Sequence, residues 1–477
     1  MIKTFFKNSF IYTIGTILTR GIGVILIPIY TRYLSPTEYG IIDLFMILTS
    51  IISLTIALEI HQAVVRFYQD TTDENEKMQY VSSAFIFSIF VYSLYFVISY
   101  LFSDTFTLLI LDDIQYENIF LLASGAIATG GLFYFTSGQL RWQILPKQSV
   151  IVSIAHLFVV GGIAIYLLVV GGLKVESIFI GQIFGNVFGI FLSIYYAKKS
   201  YRLVFVYEKF KEMVSFSYPL VFSGVAIFVA LYIDRIAIKE LLGLEELGIY
   251  GIAYRFAAVA SLVMIGFQSS LSPLIYKHYK EEETPRNVAK LFDGFVLFAL
   301  FVVSGSVLFS KEVIVLMSTE VYYDAAILVP PLVMASLFSN MYIFAPGMGI
   351  AKKTKTLALI SVASAIINTI LNYTLIPIFG LQGAAFATLF SSMVVFSIRV
   401  FVSDKYYKIP HAWPKKVLLF IAVLIVSYFV NNLFDDISLV SVIVKILTIL
   451  LITGTVIYTL IGLSLFKKIK VLFNNLG

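Results

Sequence analysis

"RYLSPTEYGI" (residues 32–41) follows the first apolar run of the chain, and "ELLGLEELGI" (240–249) follows the seventh. Aligned, they set Leu34, Glu38, Gly40 and Ile41 over Leu242, Glu246, Gly248 and Ile249, an offset of 208 residues. The same offset carries Gly172-Leu173 onto Gly380-Leu381. Two matches at one offset, in equivalent connections, mark an internal duplication. Ser35-Pro36-Thr37-Glu38 also reads as a capping box with proline at the first helical position. Gly243-Leu244-Glu245-Glu246 is a poorer version with glycine as the cap. The motif is therefore expected to start a helix and to bind nothing.

Around this repeat the chain is 59% hydrophobic and only 13% charged over 477 residues, where a soluble protein carries about 25% charge. Its 43 Phe and 30 Tyr suit a lipid-facing surface with aromatic belts. The absence of cysteine excludes disulfides, thiolate metal sites and a catalytic thiol. A bilayer span needs roughly 20 apolar residues. That rule predicts fourteen spans, at about 8–34, 39–68, 79–103, 118–138, 149–170, 177–197, 213–238, 248–275, 288–308, 325–348, 357–377, 381–402, 416–433 and 439–463. The first follows Lys3 and Lys7 with no small-residue cleavage site, and reads as a retained transmembrane helix.

Basic residues set the expected orientation. Alternate connecting segments, counted from the N-terminus, hold 24 of the 34 Lys and Arg, and the opposite set holds only Arg32, Lys174, Lys239 and Lys311. By the positive-inside rule both termini are cytoplasmic, although "DTTDENEK" (70–77) is acidic. The net charge of +6 is then a topology signal and not a nucleic-acid footprint. Six helices per copy is an even number, so both copies cross the membrane in the same sense, with a site expected between them. The expected fold is an all-α polytopic membrane protein. Its divisions are an N-terminal six-helix lobe (1–205), a C-terminal six-helix lobe (206–403), and two further helices with a cytoplasmic tail (404–477).

Little in the chain points to catalysis. No Gly-Lys dipeptide exists, so there is no P-loop. His61, His156, His278 and His411 are far apart and form no zinc motif. His278 and His411 are expected to be solvated, and His156 to be a hydrogen-bonded interior residue. No cofactor or metal is expected. The longest extracytoplasmic loops, near 104–117 and 309–324, are short for a polymerase or glycosyltransferase that must hold sugars outside the bilayer.

Ionisable residues inside spans are functional candidates by default. Lys445 and Arg399 lie near helix ends, where long stems snorkel, and Asp293 sits one turn inside its helix, where water reaches it. Asp234 and Arg235 are adjacent and point about 100° apart, so one of them, Asp234 by preference, is expected to face the interior. Glu59, Gln62 and Arg66 form a polar stripe at i, i+3 and i+7, and His61 is expected to point elsewhere. Arg20 and Arg255 lie deep in their spans. For these the competing reading is a structural salt bridge. Arginine keeps its charge when poorly solvated and offers a planar fork to phosphate. Several arginines and few acids suit an anionic substrate better than an organic cation.

Three segments carry a family resemblance: "ILTRGIGVILIPIYTRYLSPTEYGIIDL" (17–44), "YIDRIAIKELLGLEELGIYGIAYR" (232–255) and "NTILNYTLIPIFGLQGAAFAT" (368–388). In order along the chain they resemble the bacterial Wzx-type polysaccharide or O-antigen flippases of the MATE-like (MOP) superfamily. The resemblance implies two six-helix lobes arranged as a V, plus two helices, opening alternately to either side. It implies transport, not catalysis: an undecaprenyl-pyrophosphate-linked oligosaccharide would cross the cytoplasmic membrane, driven by an ion gradient and serving polysaccharide polymerase and export proteins. On this reading Arg20, Arg66, Arg255, Asn368 and Asn372 contact substrate, while Glu59 and Asp234 carry the coupling ion. The paired asparagines equally suit interhelical hydrogen bonding. The alternatives are a peptidoglycan lipid precursor flippase, a drug/cation antiporter, and a membrane-embedded sugar polymerase or acyltransferase.

Overall fold

The computed structural model describes residues 23, 25–460 and 462, without the side chains of 262, 263, 265–270, 272 and 273. Packing divides the chain into two compact units, Met1–Gly251 and Ile252–Gly477. The first unit holds α1 (Ile27–Tyr33), α2 (Pro36–Ile56), α3 (Ile60–Asp70), α4 (Glu74–Leu101), α5 (Ser103–Leu111), α6 (Glu117–Trp142), α7 (Pro146–Val169), α8 (Val175–Tyr196) and α9 (Tyr207–Leu241). Helix α10 (Leu244–His278) begins in this unit and continues into the second. There it is followed by α11 (Thr284–Met317), α12 (Ala325–Asn340), α13 (Gly347–Ile350), α14 (Thr354–Asp404), α15 (Trp413–Leu433) and α16 (Leu439–Leu460). No strand occurs among the described residues.

Eleven helical stretches among the described residues are long and apolar enough to cross a membrane. One of them, α14, is two helical arms folded at Gly380 (φ 57°, ψ −139°). Large apolar side chains such as Leu109, Phe191, Leu316 and Leu451 stand exposed on the helices, which only a lipid solvent tolerates in such number. The protein is an all-α polytopic membrane protein. Most of the expected first span, 8–34, lies outside the described residues.

The repeat motif has a structural job. Ser35 Oγ accepts from the Glu38 N–H at 3.3 Å, and Glu38 Oε2 accepts from the Ser35 N–H at 2.7 Å, so the expected capping box starts α2. Helices α2 and α10 then touch at repeat-equivalent glycines. A Cβ on Gly40 would lie 1.8 Å from Leu244 O, and one on Gly248 would lie 1.9 Å from Pro36 O. Residues 36 and 244 differ by the same 208 as residues 40 and 248. The contact is therefore locally two-fold, and each copy of the motif supplies the surface that the other needs. Gly172 and Gly380, the second aligned pair, both adopt positive φ (67° and 57°), which glycine tolerates without strain.

Several polar residues depart from expectation. Lys445 does not snorkel: it is fully buried, with Nζ 2.5 Å from Glu312 Oε1. Asp293, partly exposed as expected, is also ion-paired, 2.7 Å from Lys416 Nζ. His411 is buried, its Nε2 lying 3.0 Å from Phe344 O and its ring packed against Phe292 and Trp413. This burial, helped by the nearby Lys416 charge, lowers its pKa from 6.5 to about 4. His278 is partly exposed and 2.6 Å from Glu281.

Candidate functional site

The first unit contains a cavity of about 950 Å³ walled by α2, α3, α6, α7 and α9. Its position follows from a break in the second predicted span. Residues 39–68 are not one helix, because Leu58 and Glu59 both adopt left-handed backbone angles (φ 50° and 52°) between α2 and α3. On a continuous helix residues 59 and 61 would point about 200° apart. Across this break His61 Nε2 lies 3.4 Å from Glu59 Oε2, correcting the expectation that His61 points elsewhere. Tyr134, from α6, brings its hydroxyl to 3.3 Å from the same His61 nitrogen, with its ring edge-on at 4.9 Å. Glu59 Oε2 is buried and makes no hydrogen bond among the described residues.

His156, from α7, also lines the cavity. Its Nε2 lies 2.9 Å from Asn186 Oδ1, and its ring stacks on Phe133 at 4.1 Å. Asn186 in turn donates to Ala126 O and Thr129 Oγ1, each at 3.2 Å. This is the hydrogen-bonded interior histidine that the sequence led us to expect. Arg141, on the last turn of α6, also lines the cavity. Counting it as a loop residue concealed this, because α6 runs four residues past its expected end.

Of the expected site residues, Glu59 is in this cavity, beside Gln62. Arg66 leaves the stripe: it is exposed, 2.7 Å from Asp70, and sits over the Phe216 ring. Asp234 and Arg235 are both buried and face different partners. Asp234 Oδ2 accepts from the Tyr250 hydroxyl at 2.6 Å, and Arg235 Nε lies 2.9 Å from Asp43 Oδ2. The angular argument was sound about direction, but both directions lead inward. Arg255 is half-buried on α10 in the second unit. Asn368 and Asn372 are buried in the same unit, and Asn372 Nδ2 donates to Asn368 Oδ1 at 2.9 Å. Arg20 lies outside the described residues. Sequence reasoning missed His61, Tyr134 and Arg141, which three-dimensional packing joins to Glu59. Among the described residues no group of three or more His, Asp or Glu could hold a metal ion.

Comparison with known proteins agrees with this architecture. The chain is 22% identical over 414 residues to an uncharacterized membrane protein of Methanocaldococcus jannaschii, covering 83% of this chain and 97% of that protein. It is 24% identical over 210 residues to a Shigella flexneri protein named "Putative O-antigen transporter", covering 43% of this chain and 50% of that one. Among solved structures, the fold matches the lipid II flippase MurJ in an inward closed conformation, with TM-score 0.74 and 17% identity over 94% of this chain and 99% of that one. It also matches an inward-facing MATE family multidrug resistance transporter of the MOP superfamily, with TM-score 0.64 and 15% identity over 80% and 92%. The superfamily fold expected from the three quoted segments is thus the fold found. The sequence profile described as "Polysaccharide biosynthesis protein" matches residues 5–279. That is more than half of the chain, and the protein belongs to this polysaccharide biosynthesis family.

Proposed function

We propose that the protein is a flippase that moves undecaprenyl-pyrophosphate-linked oligosaccharide across the bacterial cytoplasmic membrane by alternating access, without chemical catalysis. The observation that carries the reading is family membership over residues 5–279, joined to an open cavity, lined by both apolar and polar side chains, among helices long enough to span a bilayer. Two six-helix lobes, 1–205 and 206–403, act as the moving halves, and residues 404–477 supply the accessory helices. Glu59 carries the coupling ion, since its buried carboxylate oxygen has no hydrogen bond among the described residues and could gain or lose a proton within the cavity. Arg20 and Arg141 are the cations assigned to the pyrophosphate. Asp234 is set aside as an ion carrier because Tyr250 and its own backbone neighbour already occupy its oxygens.

The test is depletion of the protein in its native cell. Lipid-linked oligosaccharide should then accumulate on the cytoplasmic leaflet, cleavable by an impermeant glycosidase only in inverted vesicles. Unchanged accessibility from outside would refute the proposal. A second reading, a flippase for the peptidoglycan lipid precursor, is favoured by the likeness to MurJ over 94% of the chain. It requires rescue of a strain depleted of its own lipid II flippase.

A further inference from the structure

The buried Lys and Arg side chains among the described residues each meet a carboxylate: Arg235 meets Asp43 at 2.9 Å, Lys416 meets Asp293 at 2.7 Å, and Lys445 meets Glu312 at 2.5 Å. Arg399 does not. It stands on α14, five residues before the helix ends at Asp404, and is half-buried with no ion pair among the described residues. Its Nε is buried and makes no hydrogen bond. Its Nη2 lies 3.5 Å from Ser361 Oγ, the outer limit of a hydrogen bond, and that hydroxyl donates its own proton to Leu357 O at 3.0 Å. The guanidinium carbon sits 5.3 Å from the centroid of the Tyr342 ring, on the turn Met341–Phe344 that follows α12. Both arms of α14 and the end of α12 thus hold this side chain in place, while most of its N–H donors find no acceptor among the described residues. The expectation that Arg399 snorkels explains its place near a helix end but not its buried Nε.

We propose that Arg399 is the centre of an anion site on the second unit, which takes a phosphate group borne by a lipid at the cytoplasmic surface of the membrane. A guanidinium left without a counter-ion in an apolar bundle carries an uncompensated desolvation cost, which a bound anion offsets. The arginine fork matches two oxygens of one phosphate, and a ring against its flat face fixes the plane without using a donor. The surroundings are cationic. Lys352, Lys353, Lys355, Lys405 and Lys408 flank the two ends of α14, all exposed and without an ion pair among the described residues. Lys353 and Lys405 lie instead over the Tyr406 and Phe401 rings, at 5.5 and 4.7 Å. The carboxylate nearest in sequence, Asp404, takes a hydrogen bond from the Ile409 backbone and feels the Lys408 charge, and forms no ion pair with Arg399. Exposed lysines are what any cytoplasmic connection carries under the positive-inside rule; a buried and unpaired arginine beside them is not. The diphosphate of a transported lipid and the phosphodiester of a phospholipid offer the same oxygens, so the site does not depend on the flippase reading.

The test measures binding to the full-length protein in neutral detergent, with farnesyl diphosphate, phosphatidylglycerol, inorganic pyrophosphate and uncharged farnesol as probes. At least one of the two phosphate-bearing lipids should bind, and farnesol should not. Arg399→Gln should weaken that binding about tenfold or more, the size of one lost charge-assisted hydrogen bond. Arg399→Lys should recover only part of the loss, because a point charge lacks the fork. Lys405→Gln removes an equal charge from the exposed rim and should change binding by about twofold or less. Preference for farnesyl diphosphate would tie the site to a transported lipid, and preference for phosphatidylglycerol would tie it to the surrounding membrane; either result supports the site. Equal losses in Arg399→Gln and Lys405→Gln would overturn it, since diffuse surface charge would then explain the binding. Inorganic pyrophosphate binding as tightly as both lipids would overturn it too, because the anion would need no lipid. Binding of neither lipid by the unaltered protein would do the same. If Arg399→Gln fails to accumulate, phenylglyoxal labelling of the unaltered protein decides. Bound lipid should protect Arg399, and equal labelling with and without lipid would sink the site.

Discussion

Lys445 and Glu312 come from positions 133 residues apart, and neither carries a local sign of the other. A charge inside an apolar bundle persists only when a partner offsets its desolvation. Lys445→Met alone should therefore lower stability by about 3–5 kcal/mol by leaving Glu312 unpaired, and adding Glu312→Leu should recover most of the loss. Thermal unfolding in detergent would show it, and equal melting of the single and double variants would refute the pairing. His411 gives a pH-dependent case. Its neutral form is the one the fold holds, with a pKa near 4 against an ordinary 6.5. The unfolded chain thus binds more protons in this range, so stability is full above pH 6.5 and falls as pH drops toward 4. The limit is about 3 kcal/mol. His411→Gln should flatten that acid slope, and an unchanged slope would assign the effect to other groups. Glu59→Gln tests coupling: transport should fall and lose its pH dependence while expression stays normal. Normal transport at every pH would make the residue structural. The sequence marked Glu59 by its stripe with Gln62, but it could not show that His61 would turn to meet it.

That failure belongs to the scale of the element. Nothing in "IALEIHQ" (56–62) announces a helix break, for it contains neither Gly nor Pro. Two successive left-handed residues with side chains cost about 1–3 kcal/mol each, so surrounding packing must hold them. Ala57 and Ile60 are buried on either side, Ile60 in the core with Val64, Tyr80 and Phe135. Local signals read the other junctions well. The capping box placed the start of α2, and Gly172 and Gly380 marked two turns. The repeat also flagged Gly40 and Gly248, though as a sign of ancestry and not as a contact, because a close backbone approach leaves no trace in periodicity. Gly40→Ala should force α2 and α10 apart, since its Cβ would meet the Leu244 carbonyl oxygen at 1.8 Å, a backbone atom that cannot rotate away. A loss of at least about 1–3 kcal/mol is expected. Gly161→Ala, with nothing within 4 Å of the added Cβ, should be neutral or stabilising by up to about 1 kcal/mol. If both substitutions melt alike, the glycine contact is not what joins these helices.

At the scale of the whole molecule, orientation rests on charge. The segments expected outside hold only four basic residues against 24 inside, and the structure shows what three of the four do. Lys174 pairs with Glu38 at 2.9 Å, Lys239 with Asp112 at 2.8 Å, and Lys311 with Asp435 at 2.8 Å. Every one of these acids also lies in or beside a segment expected outside, so each contact supports the alternation that puts its two connections on one face. Reporter fusions at Asp73 and Lys353 should therefore read cytoplasmic, and fusions at Asp112 and Thr319 extracytoplasmic. A swap of all four would reverse the protein in the membrane while keeping its helices. If Asp73 and Asp112 read on the same side, α4 does not span, contradicting its 28 apolar-rich residues. Thr319 and Lys353 on the same side would say the same of the stretch from Ala325 to Ile350, and would cost the second copy of the repeat its even number of crossings.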